Sequence, residues 1–109
     1  WLQHVAGHIL LRDLRAYAQE RVEPGLSPEA QRAGREAIDD TLYGLIMDID
    51  GVSSPLESDQ ETVSLRVAVE LVRDDGSVDT LDLAEGDGMC MGLHGWLEGD
   101  FGEHPVVAR

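Results

Sequence analysis

The chain has 109 residues, 42% of them apolar and 28% charged, enough for a single domain over 1–109 with one core; two domains and a disordered chain are both excluded. Twenty-two acids face eight bases, and the resulting net charge of −14 repels the phosphates of nucleic acid and of anionic membranes. Cys90 is the one cysteine, so no internal disulfide can form and nothing points to an oxidising compartment.

All eight bases are arginine, and lysine and asparagine are both absent, as expected of a GC-rich, bacterial genome. No signal-peptide pattern is visible. The longest apolar run, around residues 63–72, is interrupted by Arg66 and Glu70 and does not read as a membrane span. These features together read as a cytoplasmic protein.

Leu2, Val5, Ala6, Ile9, Leu10, Leu14, Tyr17 and Val22 recur at three- and four-residue steps and predict a helix over about 2–22 with one apolar face. His4, His8, Arg12, Arg15 and Gln19 gather on the opposite face, which reads as solvated. Glu23-Pro24-Gly25 stops the helix. Ser27-Pro28-Glu29 starts a second one. Serine accepts from an orphan amide, proline has its φ preset, and the acid suits the positive dipole end. That helix runs to about Met47, with Ala30, Gly34, Ala37, Ile38, Thr41, Leu42, Leu45 and Ile46 as its buried stripe and Gly51 as its stop.

Residues 56–60 read as loop. From Val63 the period becomes two, with Val63, Leu65, Val67, Val69 and Leu71 on one side. Asp75-Gly76 is a favoured hairpin pair, and 77–84 returns as the partner strand with a bulge. The expected fold is α+β: two antiparallel N-terminal helices on a small antiparallel sheet, formed by a hairpin over 61–84 and a candidate edge strand over 104–108. A short Gly-rich C-terminal helix or loop follows. Met89, Cys90, Leu93, Trp96 and Leu97 fit that helix, capped by Asp87, and Gly88, Gly92, Gly95, Gly99 and Gly102 form a bare strip along it.

Charge is segregated along the chain. Residues 1–38 carry five acids and five arginines, so residues 39–109 carry the whole −14. Asp74, Asp75, Asp79, Asp82, Glu85, Asp87, Glu98 and Asp100 fall in a stretch without a base, and they are the candidate contacts for a basic protein partner. The plainer reading is that this charge keeps the protein soluble and monomeric. A homodimer that completes the sheet is a further expectation.

Three constellations could carry chemistry. His4 and His8, one helical turn apart, could share a divalent metal with His94 in a metal-dependent hydrolase. Cys90 and His94 have the spacing of a thiolate and its base, although Cys90 sits on an apolar stripe where a core thiol is commoner. Residues 45–52, with Asp48-Ile49-Asp50-Gly51, resemble the first motif of the haloacid-dehalogenase phosphatases. That resemblance implies a nucleophile at Asp48, an acid/base at Asp50 and a magnesium ion. Helical periodicity running into the motif from Pro28 argues instead for a helix end, where each aspartate is unfavourable by a few tenths of a kcal/mol. No motif forms a complete catalytic set, and none requires a cofactor.

Overall fold

The computed structural model describes residues 1–52 and 55–103. It is α+β, with helices and two small antiparallel sheets. Helix α1 covers residues 2–19 and has three parts: an α-helical Leu2–Ile9, a π-helical Leu10–Arg15 and an α-helical Ala16–Gln19. Helix α2 is Pro28–Ile49. Strands β1 (Leu56–Glu57) and β2 (Thr62–Val63) pair with each other, as do β3 (Ala68–Val72) and β4 (Val78–Asp82). A 3-10 turn, Leu83–Glu85, leads to α3, Met89–Leu97.

Helix α2 begins and ends where its local chemistry dictates. Ser27 Oγ accepts from the Ala30 amide at 3.2 Å, and Pro28 occupies the first helical position. Gly51 takes a φ of 76°, its amide donates to Asp48, and the Val52 amide donates to Met47. That pair of bonds is a Schellman cap. Helix α3 ends the same way: Gly99 donates to Trp96 and Asp100 donates to Gly95.

Among the described residues the core is one cluster of ten buried side chains, namely Ala6, Leu11, Leu42, Ile46, Ile49, Val69, Leu83, Met89, Leu93 and Trp96. Trp96 is 1% exposed and lies at the junction of α1 and α3. Its indole occupies a slot that two glycines make. A Cβ on Gly7 or on Gly92 would collide with the ring, so only glycine admits it. Gly92 therefore does not serve the strip for a passing backbone that its spacing suggests; it seats the side chain one turn further along its own helix.

The two apolar stripes are covered along only part of their length. Leu42, Ile46 and Ile49 are buried, but Ala30, Ala37 and Thr41 are exposed. Leu11 is buried, whereas Leu14 is 44% and Tyr17 55% exposed. The outer halves touch each other: Arg15 pairs with Asp39, and the Val22 methyl groups lie over Gly34. They form an arm that projects from the core. The radius of gyration is accordingly 16.4 Å, against about 13 Å for a compact chain of this length.

The strand region also differs from its periodicity. The hairpin over 61–84 is two hairpins, because residues 56–57 pair with 62–63 and the chain breaks from strand at 64–67 before β3. Of the period-two face only Val69 is buried; Val63 and Leu65 stay exposed. Five consecutive pairs from Ala68↔Asp82 to Val72↔Val78 leave no room for a bulge inside β4. The irregularity sits in the turn. Arg73 pairs with Ser77 around a three-residue loop in which Gly76 alone has positive φ, at 85°. Asp75-Gly76 is thus not the two-residue turn its sequence favours. The candidate strand over 104–108 lies outside the described residues.

Candidate functional site

One cleft gathers sequence-predicted residues. It lies between the start of α1 and the β3–β4 hairpin, has a volume of about 450 Å³, and is lined by Trp1, Leu2, Gln3, Leu71, Arg73, Asp79, Thr80, Leu81, Gly86 and Asp87. Gln3 builds one wall. Its amide donates to Gly88 O at 2.7 Å and accepts from the Asp87 amide at 3.1 Å, fixing residues 86–88 against α1. A Cβ on Gly86 would stand 2.6 Å from Gln3 Oε1 and would push the Gln3 amide off these bonds. Leu2, Leu71 and Leu81 supply apolar surface, and Trp1 is half exposed.

Charge at this cleft is partly spent. Arg73 donates to Asp79 and, at 3.4 Å, to Ser77 Oγ. The Asp87 carboxylate has no partner among the described residues, which leaves the lining with a net negative charge. Exposed Asp74 and Glu85 add to the same field. The other predicted acids have local duties. Asp75 accepts from the Ser77 hydroxyl and amide, and these bonds hold its carboxyl below the usual range. Asp82 accepts from the Ala84 amide at 2.9 Å and lies 3.3 Å from Arg66. Asp100 accepts from the Gly102 amide. Each of these acids sits two residues before the amide it accepts from, the spacing of an Asx turn. Glu98, beside His94 at 3.5 Å, lies at the end of α3.

The histidines do not converge. His4 Nδ1 accepts from Trp96 Nε1 at 3.0 Å, so the neutral ring carries its proton on Nε2. His8 packs edge-on against Phe101, with ring centroids 4.8 Å apart, and its Nδ1 is buried without a hydrogen-bond partner among the described residues. His94 stands 88% exposed on α3. The His4/His8 face is therefore not the solvated one; it lies under Trp96 and Phe101, because α1 is covered on two sides over its first half. Among the described residues no three His, Cys, Asp or Glu side chains gather as a metal would need.

The Asp-x-Asp-Gly segment is a helix end and not the end of a strand. Asp50 Oδ1 accepts from the Met89 amide at 2.5 Å and Oδ2 from the Cys90 amide at 2.8 Å. Asp50 thereby caps α3, whose own N-cap, Gly88, has no side chain to do so; Asp87 does not fill that role. The expected penalty at the negative end of α2 is offset at the positive end of α3. Both oxygens being engaged, Asp50 does not fit the paired carboxylates that magnesium would need. Asp48 is exposed and lines a separate, larger cleft of about 620 Å³ with Leu56, Val63, Leu65 and Arg66. Burial, and secondarily Asp50, pushes the Cys90 thiol up to about 11, so it is protonated near neutrality and is not an activated nucleophile.

Comparison of this chain with protein-family models, with curated proteins and with solved structures finds no match. Among the described residues no helix is long and apolar enough to cross a membrane.

Proposed function

We propose that this chain is a small acidic protein-binding module, of the antidote or inhibitor kind, that docks a basic protein partner. The cleft between α1 and the β3–β4 hairpin is the centre of the contact. The observation that carries this reading is Asp87, unpaired among the described residues, beside the Asp79–Arg73 pair and over the apolar surface of Leu71 and Leu81. An arginine or lysine from the partner lays its aliphatic stem on the leucines and brings its charge to Asp87. The remaining carboxylates of the acidic half attract such a partner from a distance and speed encounter, more than they add to final affinity.

A labelled arginine-rich peptide titrated against the protein tests this. Binding is expected to weaken steeply as salt rises. Asp87→Asn is expected to lower affinity about tenfold, the cost of one charged contact; Asp79→Asn is expected to lower it by freeing Arg73 to repel the incoming cation, while Glu98→Gln leaves it unchanged. Salt-insensitive binding, or equal loss from all three variants, sinks the proposal.

A further inference from the structure

The projecting arm ends its apolar stripes in solvent, and its composition identifies what covers them. A groove of about 270 Å³ runs between the outer halves of α1 and α2, lined by Leu14, Ala18, Ala37, Ile38, Thr41 and Leu42. Tyr17 lies beside it on α1, with the Arg21 guanidinium 3.3 Å over its ring. The apolar periodicity of α1 continues past Leu11, yet burial does not. The break coincides with the π-helical turn Leu10–Arg15, whose Ala16 amide reaches back five residues to Leu11 and rotates everything beyond it. Such turns are rare, and they recur at functional positions.

Charge decides the occupant. Residues 14–42 hold Arg15, Arg21, Arg32 and Arg35 against Glu20, Glu23, Glu29, Glu36, Asp39 and Asp40, a net of −2 in a chain of −14. A strongly basic partner is drawn to the acidic half, not here. A second copy of this chain is repelled by that half, and the arm is where it can approach. Two-fold contacts need a self-complementary patch, and arginines interspersed with acids on helical surfaces provide one. We infer that the α1–α2 arm is a homodimer interface, packed on the arm of a second copy through Leu14, Tyr17 and Ile38.

Light scattering on the purified chain at micromolar concentration tests this, and a mass of two chains is expected. Leu14→Glu and, separately, Tyr17→Glu should return it to the mass of one chain with unchanged circular dichroism, since both side chains are substantially exposed. Leu65→Glu, an exposed apolar site in the acidic half, should leave the dimer intact. Added salt should tighten the dimer by screening the acidic halves, the opposite of its effect on a basic partner. The two proposals therefore fail separately. A wild-type mass of one chain, or a dimer that survives both arm variants, or one lost with Leu65→Glu, overturns the inference.

Discussion

The inner and outer halves of the two long helices share one apolar periodicity and have opposite fates. The inner halves close around Trp96, where demanding groups meet partners distant in sequence: Gly7 against the indole, His4 on its N–H, Asp50 on the first amides of α3. Among the described residues the outer halves meet each other, through Arg15–Asp39 and Val22 over Gly34. Periodicity thus identifies which face is apolar, and whether that face is buried depends on what the rest of the chain can reach. A helix of this length outruns a core of ten side chains.

Substitutions can break this contrast, and the largest effects belong to the inner half. Trp96→Ala is expected to cost about 3–5 kcal/mol in denaturant unfolding, through lost burial and the cavity left behind. Leu42→Ala should cost about 2–5 kcal/mol, whereas Leu14→Ala, measured in dilute protein, should stay within about 0.5 kcal/mol. Equal losses from these two leucines would erase the distinction between the halves. Gly92→Ala gains helix propensity yet should destabilise by about 1–3 kcal/mol, because the slot has no space for a methyl group. Asp50→Ala should cost about 1–2 kcal/mol and speed hydrogen exchange at Met89 and Cys90 ahead of the rest of α3.

The smallest effect is a pH dependence. With the thiol raised to about 11 in the folded state, the unfolded chain loses that proton first. The stability contributed by protonated Cys90 is complete below the ordinary thiol value of about 8.5 and declines as pH rises from there toward 11. Iodoacetamide should accordingly label native protein slowly at pH 8 and faster toward pH 11. Rapid labelling at pH 8 would place the thiol outside the packed junction.

Legibility followed the range of the interactions involved. Ser27-Pro28 and Gly51 bound α2 because caps are made within a few residues, and they were readable from the chain. The apolar spacing around Trp96 fitted a short helix, but five glycines in the same stretch fitted a loop, and the chain alone left the two open. The role of Gly7 was not readable, since it depends on α1 arriving beside α3. Asp50 looked misplaced at the end of α2 for the same reason: its partners lie 39 and 40 residues on. Period two over 63–71 marked an extended face but could not show that the chain divides it between two hairpins. Within the acidic stretch, net charge was plain, but which carboxylates remain unspent depended on turns closed by Asp75, Asp82 and Asp100.

The slot around Trp96 also gives the molecule a built-in optical reporter. One indole is sealed between glycines with its N–H held by an imidazole, and the other, Trp1, is half in water. With Trp1 changed to phenylalanine, a single emitter remains at the point where α1 meets α3. Its wavelength would shift to the red as water enters, so the opening of that joint could be followed directly, separately from the fraying of the strands.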